Sequence, residues 1–65
     1  NNIEWVHFET TFKRFLDIYK NHPHSRFPVY DDDYDDVVGI LSTKDVMTSL
    51  ATNKLNDKSV VSAII

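Results

Sequence analysis

The sequence predicts a small α/β (α+β) domain with the element order β-α-β-β-α. Three stretches predict it: a helical apolar stripe at residues 12–19, an alternating strand at residues 26–31, and an apolar run at residues 37–41 before a second helical stripe. One parallel crossover followed by a tight hairpin gives a three-stranded sheet. We therefore expect both helices to pack on one side of that sheet.

Composition and charge bound the function. The chain has 65 residues, of which 42% are hydrophobic, so it forms one domain with a marginal core. Its net charge of −3, without a basic stripe, disfavours nucleic acid and anionic membrane surfaces as partners. The absence of cysteine removes disulfides and thiolate metal sites, and favours a reducing compartment. No apolar run approaches the roughly 20 residues of a membrane-spanning helix.

The first predicted element is a strand from Ile3 to His7. Ile3, Trp5 and His7 alternate with Glu4 and Val6, so the two sets lie on opposite faces. Trp5 on such a short strand is expected to be buried against a helix.

A change of period after this strand predicts the first helix. Its apolar stripe consists of Phe12, Phe15, Leu16 and Tyr19. Thr10 or Thr11 can cap the start of the helix, and Pro23 stops it.

Two further strands follow. Residues 26–31 place Phe27 and Val29 on a buried face, and Pro28 predicts either an edge strand or one unpaired side. The continuous apolar run at residues 37–41 is typical of a strand covered on both faces.

Between these strands lies the acidic stretch DDDYDD, residues 31–36. Asp31, Asp33 and Asp35 alternate as in a calcium loop. Such a loop needs glycine and glutamate at the positions of Asp36 and Ser42, so the pattern fails there. We interpret the stretch as a solvated turn, because Asp accommodates turn conformations. The three histidines lack the spacing of a zinc site, so we predict no metal site.

The stretch GILSTKD, residues 39–45, has two interpretations. Ser42 and Asp45 form a possible capping box at the start of the second helix. Alternatively, the helix N-terminus at Ser42 binds a phosphate, Asp45 binds ribose hydroxyls, and Gly39 marks the close approach of a ligand or another backbone. The helix itself is expected to bury Val46, Met47 and Leu50. Residues 53–58 read as a turn, and residues 59–65 as a short helix or the start of another element.

The stretch HSRFPVYDDDYDDVVGILSTKD, residues 24–45, resembles a CBS motif, a β-α-β-β-α regulatory module that occurs in tandem pairs. More closely, it is similar to the first CBS motif of the magnesium and cobalt efflux (haemolysin-C-like, CorC/HlyC) family of membrane proteins. The resemblance implies a non-catalytic regulatory module that senses an adenosine nucleotide, ATP or AMP with Mg²⁺.

The resemblance also implies where the nucleotide contacts lie. Ser42, Thr43 and Asp45 would contact phosphate and ribose, with Gly39 on the strand leading in. Trp5, Val6, Phe27 and Pro28 would approach the adenine.

Residues 1–52 then form a single CBS motif, and residues 53–65 begin a linker toward a second motif. That second motif or another copy of the chain is the expected partner. The resemblance places the module in the cytoplasmic part of a membrane protein, without membrane contact of its own. The alternative is a structural dimerisation module without a ligand, in which Ser42 and Asp45 only cap a helix. No acid, base and nucleophile converge in the sequence, so no enzyme activity is predicted.

Overall fold

A computed structural model describes residues 3–65. The elements are β1 (Val6–His7), α1 (Phe12–Asn21), β2 (Arg26–Tyr30), β3 (Val37–Ser42), α2 (Thr43–Ala51) and a C-terminal 3₁₀ helix (Val61–Ile64). This order confirms the predicted β-α-β-β-α fold. Within residues 3–65, no helix is both long and apolar enough to cross a membrane.

The sheet has the strand order β1-β2-β3, with β1 parallel and β3 antiparallel to β2. The parallel crossover through α1 and the hairpin are therefore confirmed. Of the two arrangements predicted from Pro28, the edge position is wrong, because β2 is the central strand. Because β1 pairs only with Val29 and Tyr30, Pro28 has a strand partner on one side alone, Ile40. The proline is thus accommodated by the shortness of β1.

The hydrophobic core lies between one face of the sheet and both helices. It comprises Val6, Phe12, Phe15, Phe27, Val29, Leu41, Val46 and Val61. Phe15 of α1 meets Phe27 of β2 edge to face, with ring centroids 5.1 Å apart, an arrangement that aromatic quadrupoles favour. We call this the covered face of the sheet, and the opposite side, which carries Pro28 and Ile40, the open face.

The first helix forms as its sequence predicts. Thr11 is the N-cap, and its hydroxyl oxygen accepts a hydrogen bond of 3.1 Å from the Arg14 amide. Phe12 and Phe15 are fully buried, and the helix ends at Asn21, two residues before Pro23. The cap, the apolar stripe and the proline stop are all confirmed.

The first strand is shorter than predicted, spanning Val6–His7 instead of residues 3–7. Val6 is its buried residue because it pairs with Val29 on the covered face. The expectation that Trp5 is buried against a helix is wrong. Its ring is half-buried and stacks on Tyr34, with centroids 5.3 Å apart.

The third strand is covered on one face only, which corrects the expectation of two covered faces. Val38 and Ile40, which alternate with the fully buried Leu41, are 47% and 55% exposed. Both helices pack on the same side of the sheet, so no helix within residues 3–65 covers the other side. The apolar run therefore reflects an uncovered apolar surface.

The predicted stripe of α2 is confirmed at Val46, which is fully buried, and at Leu50, which packs against the core, but it is wrong at Met47. Thr43, Val46 and Ser49 are buried, whereas Met47 is 37% exposed. Spacings of three residues keep those three side chains on one side of the helix, and Met47 lies one position further round.

The C-terminal residues return to the core. Val60 bridges to Thr11, and the Val61 amide donates a 2.8 Å hydrogen bond to the Thr10 carbonyl. Val61 is fully buried among the core residues. Of the two interpretations of residues 59–65, the short helix is the one that forms.

Candidate functional site

The junction between β3 and α2 does not form a capping box. Ser42 is the N-cap residue, yet within residues 3–65 its side chain makes no cap hydrogen bond. Ser42 pairs with Arg26 in the β ladder, which puts it on the open face in line with Ile40. Its hydroxyl therefore caps no amide of α2 and is available to a ligand.

Thr43 ties the start of α2 to the segment before β2. Its amide donates to the Ser25 carbonyl at 3.0 Å, and its hydroxyl donates to the His24 carbonyl at 2.8 Å. Because Thr43 is buried, these bonds are shielded from water. The predicted phosphate ligand Thr43 is thus a structural anchor whose hydroxyl proton is already engaged.

A polar cavity of about 390 Å³ opens at this junction. It is lined by Tyr19, Ser25, Arg26, Ser42, Thr43 and Lys44. Two cationic side chains and the N-terminal end of α2 bring positive potential to one place, which suits a phosphate. The cavity contains two of the predicted phosphate contacts, Ser42 and Thr43.

A second, mainly apolar cavity of about 480 Å³ lies on the open face. It is lined by Ile3, Glu4, His24, Ser25, Arg26, Pro28 and Ile40. Ser25 and Arg26 line both cavities, so the two adjoin. We call the pair the open-face groove; its apolar part lies on the open face, and its polar part lies at the end of the sheet, between Tyr19 of α1 and the start of α2. Its volume falls in the range of small-molecule sites, with an apolar end and a cationic end.

Asp45 lies outside this groove. It is exposed in the first turn of α2 and lines a different cavity, of about 400 Å³, between α2 and the C-terminal residues. The structure therefore brings Ser42 and Thr43 together with Arg26 and Lys44, but not with Asp45.

The predicted adenine contacts separate in the same way. Pro28 lines the apolar cavity, whereas Val6 and Phe27 belong to the core and can offer a ligand only their backbone. Trp5 stacks on Tyr34 and lines neither part of the groove.

Gly39 does have a close neighbour, but that neighbour is a side chain of the same chain. A Cβ at this position would lie 3.4 Å from Cβ of Ile65. Gly39 pairs with Val29, a residue of the covered face. Gly39 therefore faces Ile65 at ordinary van der Waals distance on the covered face and does not mark a molecule in the groove.

The acidic stretch forms the hairpin turn that was predicted. The Asp31 amide donates to the Asp36 carbonyl at 3.0 Å, and the Asp35 amide donates to the Asp33 carboxylate at 3.0 Å. Carboxylate oxygens of Asp31, Asp32 and Asp36 lie within 4.8 Å of one another. Loss of hydration raises the pKa of Asp31, and the charges of Asp32 and Asp36 raise it further.

Comparison with known protein families identifies the family of this chain. The CBS domain family matches residues 1–52 of the chain. The chain belongs to the CBS domain family. The predicted resemblance is confirmed, and it extends to solved structures.

One similar CBS structure is a hemolysin-like protein containing a CBS domain from Oenococcus oeni PSU. The two have a TM-score of 0.81 and 28% identity over 97% of this chain and 45% of that one. Another is the CBS domain of a bacterial CNNM/CorC family Mg²⁺ transporter in complex with ATP, with a TM-score of 0.80 and 29% identity over 95% of this chain and 43% of that one.

The CBS domain of a bacterial CNNM/CorC family Mg²⁺ transporter in complex with the inhibitor IGN95a is 31% identical, with a TM-score of 0.80, over 95% of this chain and 37% of that one. The CBS chain described here thus spans less than half the length of these solved chains. No curated protein matches it in sequence.

Sequence reasoning missed most of the residues that line the groove of this CBS motif, among them Glu4, His24, Arg26 and Lys44. The alternation of β2 contained one usable signal, because it places Arg26 on the same face as Pro28. Glu4 and His24 lie far apart in the chain, so only the folded structure brings them to one cavity.

Proposed function

We propose that the chain is a non-catalytic regulatory CBS module that binds an adenosine nucleotide in the open-face groove. The observation that carries this proposal is the junction of an apolar cavity with a cationic one through Arg26 and Ser25. A nucleotide has the same division, with a flat base at one end and phosphates at the other. The division of the groove therefore fits the division of the ligand.

In this arrangement the phosphates lie at the cationic end. Arg26 and Lys44 supply charge-assisted hydrogen bonds, and the free hydroxyl of Ser42 adds another. Thr43 contributes by holding the start of α2 against the His24 carbonyl. Asp45 has no part in this arrangement, because it lines the separate cavity between α2 and the C-terminal residues.

The base lies at the apolar end, between Pro28 and Ile40 on the sheet and Ile3 in front of β1. Burial of a purine there removes apolar surface from water on both partners. Among the solved neighbours, the CBS domain of one CNNM/CorC family Mg²⁺ transporter is in complex with ATP, which supports this ligand class. ATP would bring its own Mg²⁺ to the groove.

Regulation would follow from a difference in affinity. A nucleotide bound better by one arrangement of paired CBS motifs shifts the population toward that arrangement, and with it any attached domain. We propose that the attached part is a membrane-embedded magnesium or cobalt efflux or haemolysin-like protein. The module would then lie on its cytoplasmic side, and residues 53–65 would lead toward a second CBS motif.

The test is an amide NMR titration of the 65-residue chain with Mg-ATP. Saturable shifts at residues 25–28 and 40–46 are expected, because these line the groove or adjoin it. Arg26→Ala should weaken binding by about tenfold or more, since hydrogen bonds from charged groups contribute about 1.5–3 kcal/mol. Arg14→Ala, the same change at an exposed position of α1, is the matched control and should bind like the unmodified chain.

Two further variants test the position of the phosphates. Ser42→Ala should weaken Mg-ATP binding, whereas Asp45→Ala should not, because Asp45 lines a different cavity. Unchanged affinity in Ser42→Ala would overturn the phosphate assignment, and weakened affinity in Asp45→Ala would place the nucleotide outside the open-face groove. A spectrum unperturbed by Mg-ATP would overturn nucleotide binding by this chain.

A second function is favoured by a different observation, the uncovered apolar surface of the sheet. Val38 and Ile40 are about half exposed, and patches of this kind mark protein contacts. A dimerisation module would bury this surface against a second CBS motif or another copy without needing a ligand. Sedimentation velocity should then show self-association without nucleotide, and Ile40→Lys should reduce it. A monomer at all concentrations would contradict this function.

A further inference from the structure

We propose that Glu4 reads the base in the open-face groove by accepting a hydrogen bond from the exocyclic amino group of a purine. This inference rests on the proposed nucleotide-binding function and assigns to it a residue that selects the ligand. Glu4 precedes β1 and belongs to none of the helices or strands.

The two cavities fix which end of the groove holds the base. Ser42 and Lys44 line only the polar cavity, and Glu4 and Ile3 line only the apolar one. Arg26 is shared by both, so it lies between the two ends. A ligand with its phosphates at the start of α2 therefore extends its base toward Glu4.

The chemistry of the apolar cavity leaves one anionic acceptor for that base. Its lining is mostly apolar, and Glu4 is the only carboxylate among its lining residues in the described part of the chain. The carboxylate is 35% exposed, so a ligand can reach it. Adenine carries two N–H donors on its 6-amino group, and an ionised carboxylate offers only acceptors. The pairing is thus a charge-assisted hydrogen bond at the edge of an apolar site.

Two histidines lie near Glu4. His22 Nε2 lies 3.5 Å from Glu4 Oε1, which holds the carboxylate beside the loop after α1. His24 lines the same cavity, and its buried Nε2 finds no hydrogen-bond partner among residues 3–65. Because this nitrogen is closed to solvent, it offers no contact to a ligand in the cavity. We assign the base contact to Glu4 because its side chain is open to solvent.

The test compares two nucleotides that differ only in the amino group. Dissociation constants of ATP and of purine riboside 5′-triphosphate, which has hydrogen in place of the 6-amino group, are measured by NMR titration of the 65-residue chain. ATP should bind about tenfold more tightly, as expected for loss of one hydrogen bond to a charged group. In Glu4→Ala the ratio should fall to about one. Glu9→Ala, the same change at an exposed glutamate outside the groove, should keep the tenfold ratio.

The outcomes separate this inference from the function on which it rests. If ATP binds and Glu4→Ala keeps the original ratio, Glu4 does not read the amino group, while nucleotide binding stands. If the unmodified chain binds neither nucleotide, the proposed function fails and the role of Glu4 fails with it. A ratio that collapses in Glu4→Ala but not in Glu9→Ala supports both.

Discussion

The two faces of the sheet share the same strands but meet different surroundings. On the covered face, Phe27 and Leu41 are cross-strand partners and fully buried under the helices. One residue along, Pro28 and Ile40 are also partners, yet Ile40 is 55% exposed and lines a cavity. Strand alternation thus assigns neighbouring apolar residues to different tasks, one to the core and the other to an open binding surface.

The difference between the two faces shows which residues stabilise the domain. A 65-residue chain has little core to spare, and here the core is built from one face of the sheet. The open face contributes little to folding, so its residues can be chosen for binding. Substitutions on the two faces should therefore have separable consequences.

The largest effect is expected from adjacent residues of β3. Leu41→Ala removes a fully buried side chain and leaves a cavity, so we expect the free energy of unfolding to fall by about 2–5 kcal/mol. Ile40→Ala deletes a side chain of the same size on the open face and should cost about 1 kcal/mol or less. Urea denaturation followed by circular dichroism measures both.

The two variants form a matched pair, because the residues are isomers in one strand. Equal losses of unfolding free energy would mean that the open face is covered in solution, for example by a second copy. In that case the loss in Ile40→Ala should depend on protein concentration, which repeating the denaturation at two concentrations would reveal.

The second prediction compares two neighbouring hydroxyl residues at the start of α2, one on the open face of the sheet and one buried. Thr43→Val keeps the shape of the side chain but removes the hydroxyl that donates to the His24 carbonyl, at an expected cost of about 1–3 kcal/mol. Ser42→Ala should change the unfolding free energy by less than about 0.5 kcal/mol, because Ser42 makes no cap bond within residues 3–65. Thermal unfolding of both variants provides the measurement. If Ser42→Ala lost more unfolding free energy than Thr43→Val, Ser42 would form a capping box in solution, contrary to the structure.

The sequence predicted the features that depend on local pattern. The α1 stripe, the Pro23 stop, the acidic turn and the element order all follow from periodicity and turn chemistry, and all form. The predictions that failed concern the tertiary contacts of each helix or strand. The apolar run of β3 gave no sign that only one face is covered, and the spacing of Ser42 and Asp45 fitted a cap hydrogen bond that Ser42 does not make within residues 3–65.

Prediction of the groove residues was limited in the same way, because most of them meet only through tertiary contacts. Ser42 was predicted from its place at the start of α2, and Thr43 and Pro28 through the family resemblance; the structure places the three in adjoining cavities. Glu4 and His24 reach the groove from separate segments of the chain. Such contacts arise from the tertiary fold, and no local pattern in a single sequence encodes them.

The smallest effect is expected at the turn between the two strands, where neither face is involved. The pKa of Asp31 is raised in the folded state by lost hydration and by Asp32 and Asp36, so folding favours its protonated form. Stability from this group is therefore present below the unfolded pKa of about 3.8 and is lost as the pH rises through the folded pKa. Asp31→Asn should raise the melting temperature slightly at about pH 7 and leave it unchanged at about pH 3, relative to the unmodified chain.

The matched control for this charge change is Asp17→Asn on the exposed side of α1, which removes the same charge away from the turn. If both variants raise the melting temperature equally, the effect comes from the net charge of −3 and not from crowding within the turn. A melting temperature that falls in Asp31→Asn at about pH 7 would mean that the Asp31 carboxylate makes a favourable contact there, and the turn would need to be reconsidered as a cation site.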